Sequence, residues 1–217
     1  MLPVNEENKD RRVQMNFLRA SWDRALNRSG AQTDSNKLFD QLIACYLEPH
    51  RKYHTLQHLT ECLESFEKVQ QLAEHLEEVE IALWFHDAIY NTKRNDNEEQ
   101  SANWAGQALT ASLWDEESVA RVTDLVRVTQ HTGLPVTSDQ QLLLDIDLSI
   151  LGAAENRFAE YEQQIRAEYA FVPGWIFRRK RRAILQKFLD RPRIYNTTYF
   201  YTALEQQARE NLRHAIN

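Results

Sequence analysis

Glycine and proline are scarce in this chain, five of each in 217 residues. A sheet protein needs tight turns at short intervals, so this shortage favours long uninterrupted helices. Cysteine is rarer still. Cys45 and Cys62 lie in apolar helical patterns without the spacing of a metal motif, which excludes a disulfide framework and leaves both as expected reduced core thiols. No apolar run approaches the roughly 18 residues that a membrane span requires, and the first residues, MLPVNEENKDRR, are polar. No signal peptide and no membrane partner are therefore expected, and the default compartment is the cytoplasm. A basic excess is also missing: the formal net charge is −6, which argues against general nucleic-acid binding but not against a small anionic substrate in a local basic pocket.

What the chain does have is helical periodicity almost throughout. Apolar positions predict a first helix over residues 11–28, closed by Gly30, and a second from a cap near Asp34 to Pro49. A third starts near Thr55 with Leu56, Leu59, Leu63 and Phe66, and a strongly apolar fourth, EVEIALWFHDAIY, covers 78–90. After the polar loop NTKRNDNEE, Asp96 or Asn97 caps a fifth, and Asp115 caps a sixth. Asp139 opens QQLLLDIDLSIL, which Gly152 closes. Helices over 154–170, about 175–190 and 198–214 complete the reading. No strand pattern and no internal repeat competes, so the fold class is all-α, with nine to ten helices.

The informative residues are those that break the apolar pattern. His86 and Asp87 interrupt IALWFHDAIY; on a helix, the neighbours of His86 at three and four residues are Ala82, Leu83, Ile89 and Tyr90. Burying a His-Asp pair there requires strong partners. Asp147 repeats the anomaly, with Leu143, Leu144, Ile150 and Leu151 around it, whereas Asp145 has the more polar Gln141 and Ser149 among its neighbours. Asp147 is thus the expected buried charge and Asp145 the expected solvent-facing one. His54 and His58, four apart at a helix start, can face one point as metal-binding histidine pairs do. His75, His214 and His50 read as solvated, and His131, in VTQHTG, can cap a helix or ligate.

The ordered set H…HD…D on successive helices resembles the HD superfamily of metal-dependent phosphohydrolases. The whole chain looks similar to a small group of predicted HD phosphohydrolases through RKYHTLQHL, LWFHDAIY, DNEEQSA, LDIDLSILG and IRAEY. The resemblance implies one HD-type domain over 1–217, with its metal-site core at about 50–152 and a C-terminal helical extension at about 153–217. It implies metal ligands His86, Asp87 and Asp147, with Asp145 as the alternative aspartate. YHTLQH is similar to the YHNxxH of cyclic-nucleotide phosphodiesterases, which makes His58 the ligand and His54 the proton donor. Members with a single histidine followed by Ser or Thr make His54 the ligand instead. There is no second HD pair and no HHD triplet, so further ligands would have to come from His131, Glu98 or Glu99.

Two histidines and two carboxylates suit Mn²⁺, Co²⁺, Ni²⁺, Fe²⁺ or Zn²⁺, with Mg²⁺ a further option. The reaction implied is hydrolysis of a phosphate ester, a nucleotide or another small phosphomonoester or diester, by metal-activated water. Cations for the substrate are expected from Arg51, Lys52, Lys93 or Arg94. A second source is RRKRR at 178–182, where Arg178 and Arg182 share a face and Arg179 and Lys180 turn away; its alternative is a solvated face. The rival functions are an HD-fold di-iron oxygenase and a non-catalytic metal or nucleotide sensor. The only partner expected is a small phosphorylated substrate, and nothing in the pattern specifies an oligomer.

Overall fold

The structure, a computed structural model, describes residues 4–29, 35–131 and 133–216; the expected helix signals at Gly30 and Asp34 lie outside them. Among the described residues there are ten α-helices and no strand, so the chain is all-α. In order they are α1 (Val4–Ser29), α2 (Ser35–Tyr46), α3 (Leu56–Val69), α4 (Leu76–Phe85), α5 (Asn97–Ala111), α6 (Glu116–Val128), α7 (Ser138–Asp147), α8 (Glu155–Glu168), α9 (Gly174–Leu189) and α10 (Thr198–Ile216). Short 3-10 turns follow α3 and α7, at Gln70–Leu72 and Leu148–Gly152.

The apolar α4 is the axis of the bundle. Val79 and every residue from Ile81 to Phe85 are fully buried, and α1, α3, α5, α6 and α7 pack around it. An aromatic knot of Trp22, Phe39 and Trp84, with Trp22 and Trp84 edge-on at 5.3 Å, joins α1, α2 and α4. Glu80 is buried on the same helix because Ser21 and Arg24 of α1 donate to it.

Helix ends depart from the apolar pattern where local hydrogen bonding overrides it. Thr55 caps α3 by accepting from the Gln57 amide, so His54 precedes the helix. The fourth helix stops at Phe85, not at 90, and His86 and Asp87 form the turn beyond it. The expected continuous helix 139–151 is capped by Thr137 and becomes 3-10 after Asp147. Asp139 accepts from the amides of Glu74 and His75 and from the His75 ring, which therefore holds an anchored position and not the solvated one expected.

The C-terminal helices are part of the same body. α10 packs along the Leu148–Gly152 turn, where a Cβ on Gly152 would lie 2.6 Å from Leu204 Cβ and 2.9 Å from the Leu204 carbonyl. Only glycine permits that approach. Asn211 donates to the carbonyls of Leu151 and Ala153, and Tyr195 to that of Leu148.

Candidate metal centre

Three segments meet at one point. α3 presents His58 and, one turn later, Cys62 on its buried face. The turn after α4 presents His86 and Asp87, and the last residue of α7 is Asp147. The turn is pinned by Arg51, whose guanidinium donates to the carbonyls of His54, Asp87 and Ala88 and to the Glu48 carboxylate. Arg51 was an expected substrate cation. It is buried with its donors committed to this clip, so it positions Asp87 and does not face a substrate.

His86 Nδ1 lies 2.7 Å from the Leu83 carbonyl. A carbonyl can only accept, so Nδ1 carries the proton and the Nε2 lone pair of the neutral ring is directed into the cluster. There it meets His58 Nε2 at 3.1 Å, Asp87 Oδ2 at 3.1 Å and Asp147 Oδ1 at 3.7 Å. His58 Nε2 in turn lies 3.4 Å from Asp87 Oδ2 and 3.3 Å from Asp147 Oδ1. Ligand atoms about 2.0–2.2 Å from one divalent ion stand roughly 3.0–3.5 Å apart. The five separations fall close to that interval, so the donor set fits a metal ion. Electrostatics agree: burial pulls the pKa of His86 down, but Asp87 and Asp147 outweigh it and raise it, while Asp87 and Asp147 themselves are held far below the usual carboxylate range by the imidazoles despite their burial.

Cys62, expected as a core thiol only, has its Sγ 3.7 Å from His58 Nδ1 and belongs to a group with His58, His86 and Asp147 whose donor atoms lie within 4.8 Å of one another. Its sequence signal was the i, i+4 spacing from His58. Cys45 is a free, half-buried thiol away from the cluster.

Of the two aspartates of α7, Asp145 departs from its expected environment and Asp147 keeps its partnered one. Asp145, expected in solvent, is fully buried. Its carboxylate accepts from the amides of Asn196 and Thr197, the Asn196 side-chain amide and the Thr197 hydroxyl. The loop before α10 covers that face, and no local pattern announces it. Asp147 keeps some exposure and turns to the imidazoles. His131, just beyond α6, has Nε2 3.1 Å from Asp147 Oδ2 and a left-handed backbone with φ 56°, a conformation that strains a non-glycine residue.

Glu98 borders the same cleft, and burial, with Asp87 and Asp147 nearby, lifts its pKa above the ordinary value. Glu99, the other expected extra ligand, points outward to Arg127.

His54 stands apart from the cluster. Its Nδ1 lies 2.8 Å from Glu168 Oε2, its ring stacks on Tyr90 at 4.1 Å, and it lines the cleft. Glu168 went unrecognised in the sequence although it occupies the place that follows Phe158, Tyr161 and Ile165 on the buried stripe of α8. Its Oε1 accepts from the amides of Lys52, Tyr53 and His54, and Tyr90 donates to Oε2. Although burial raises it, these donors, led by His54, draw its pKa down to about 2. Ionised Glu168 makes Nδ1 the donor, which leaves Nε2 of His54 for the cleft.

A cleft of about 700 Å³ reaches the cluster at Asp147. Asp147, His131 and His54 line it together with aromatic side chains such as Tyr169 and Phe177. The basic run contributes Lys180 and Arg181 and not Arg178 and Arg182, which are exposed and outside the lining. The inward face of α9 is fixed by Leu185, the one buried residue of that helix, and Arg181 lies one turn before it. Arg181 is held by Glu162 and stacks on Tyr161, whereas Lys180 is exposed at the rim. Of the other expected cations, Arg94 borders the cleft but grips Asp96, Lys93 lies over Phe171, and Lys52 donates to the Pro49 carbonyl. No helix among the described residues is long and apolar enough to cross a membrane. No family model, curated protein or solved structure matches the chain.

Proposed function

We propose that the chain is a metal-dependent phosphohydrolase of the HD type. The observation that carries this reading is the convergence of two imidazole nitrogens and two carboxylates, with a carboxylate-held histidine lining the same cleft as Asp147. His58, His86, Asp87 and Asp147 would hold a divalent metal, with Cys62 adjacent. When bound, the metal supplies Lewis acidity toward a phosphoryl oxygen and toward water at neutral pH.

The remaining chemistry falls to the protein's own groups. His54, oriented by Glu168 through Nδ1, delivers a proton from Nε2 to the leaving oxygen as the ester bond breaks. Glu168 also fixes the Lys52–His54 backbone, so the proton donor and the α3 cap are held by one carboxylate. Lys180 attracts the dianion at the rim. His131 braces Asp147 from the side opposite His58.

Metal analysis of the purified protein tests the reading, followed by a screen of phosphomonoesters, nucleotides and phosphodiesters with Mn²⁺, Co²⁺, Ni²⁺ and Mg²⁺. Retained metal with turnover of an ester is expected. Metal retained with no ester hydrolysed, or an iron absorption band with oxygen consumption, would overturn it.

A further inference from the structure

Among the described residues, the other buried side-chain hydroxyls have partners. Tyr46 donates to the Trp84 carbonyl and Tyr195 to the Leu148 carbonyl, and the half-buried Tyr90 donates to Glu168. Tyr53 is the exception. It is 4% exposed, and its hydroxyl is one of three buried side-chain polar atoms among the described residues without a partner. A buried donor left unpaired is costly, and native folds rarely retain one without a use for it.

The ring of Tyr53 is immobilised from several directions. It meets Tyr161 edge-on at 4.5 Å, tilts against His58 at 4.7 Å and meets His54 edge-on at 4.9 Å, with the Arg157 guanidinium 5.8 Å over its face. Its amide is held by Glu168. Tyr53 also forms part of the partition between the main cleft and a second cavity of about 350 Å³, sharing that role with Asp147 and Ile150. A fixed donor is thus placed beside the donor cluster and beside the proton-donating histidine, in a region where Asp87, Asp147 and His58 are committed to one another.

We infer that the Tyr53 hydroxyl donates a hydrogen bond to a phosphoryl oxygen held at the cluster, which makes it a substrate-contacting residue of the proposed reaction. This assignment rests on the phosphohydrolase reading. The phosphoryl group is anionic and the neighbouring side chains carry two carboxylates, so a neutral, preorganised donor lowers the repulsion that the phosphate meets. Tyr53 and His54 then address different oxygens of the same group: a non-bridging oxygen and the leaving oxygen.

The test is Tyr53→Phe in the full chain loaded with Mn²⁺, with metal content, thermal midpoint and inorganic phosphate affinity measured against wild type. Phenylalanine keeps the ring contacts and removes only the orphan donor. Unchanged metal content, a midpoint equal or higher, and phosphate binding weakened roughly 10- to 100-fold are expected, the loss of one hydrogen bond to a charged acceptor. Phosphate affinity equal to wild type would overturn the assignment, the hydroxyl then serving an ordered water alone. A midpoint lowered by several degrees with phosphate binding intact would overturn it as well, and make the hydroxyl structural. Wild type that binds no phosphate and hydrolyses no ester overturns the phosphohydrolase reading, and this assignment with it; an active wild type beside an indistinguishable variant overturns the assignment alone.

Discussion

Asp145 and Asp147 lie two residues apart on one helix, yet they occupy opposite kinds of pocket. Asp145 is fully buried and met by N–H and O–H donors from a single loop. Asp147 is less buried and is met by three imidazoles from three other segments. What separates the two carboxylates is therefore less the depth of burial than the identity of the partners. Backbone amides complete one charge and lock a loop, whereas the imidazoles around the other are groups that can exchange a proton for a cation.

The strongest way to break this comparison is to remove each charge in turn. Asp147→Asn should fold and lose most of its metal and turnover. Asp145→Asn should keep one metal per folded molecule and lose about 3 kcal/mol of stability, because an amide nitrogen would then face hydrogen-bond donors. Metal content and urea melts check both variants, and the reverse ranking would make Asp145 the functional group.

A second contrast separates holding metal from moving a proton. His54→Ala should retain metal while its rate on alkyl phosphates falls by about 10²–10⁴-fold. An activated aryl phosphate needs little protonation of its leaving oxygen and should be hydrolysed nearly normally. Metal loss equal to that of His58→Ala would make His54 a ligand.

Glu168 sharpens the comparison through pH. Its folded pKa of about 2 lies below the ordinary 4.5, so its contribution is complete above pH 4.5 and is lost as pH falls toward 2. Glu168→Gln should be less stable at pH 7 and should show a shallower loss of stability across that acid window than wild type. Thermal midpoints between pH 7 and 2 measure it, and parallel curves would show that the carboxylate is not the stabilising group.

The smallest effect concerns α9. Lys180→Ala should raise KM by about 2- to 5-fold with kcat intact, an effect that shrinks in high salt. Arg178→Ala and Arg182→Ala should change neither constant. A KM change confined to the two arginines would mean that α9 presents a different face to the substrate.

The fold was largely legible because periodicity and scarce breakers act locally: the start of α3 near Thr55 and the cap at Asp115 stand where the sequence places them. The HD pair was legible as an anomaly, although the helix stops before it. What escaped was tertiary. Asp145 could not be read because its donors lie 51 and 52 residues away. Arg51 looked like a free cation because its acceptors are carbonyls, which every residue possesses. Glu168 and Cys62 carried signals, a charge on an apolar stripe and a thiol one turn from a histidine. Those patterns occur in many chains, and only three-dimensional convergence gives them weight.

The contact between His54 and Glu168 spans 114 residues of sequence, and that between Asp145 and Thr197 spans 52. A ribosome adds about 5–20 residues per second, so the segments bearing His58, His86 and Asp147 emerge seconds before the loop that clamps Asp145. The nascent chain acquires the side chains of the candidate metal centre first, the carboxylate that holds His54 next and the lock on α7 last. The donor cluster is thus complete in the emerging chain before the loop that locks α7 has been made.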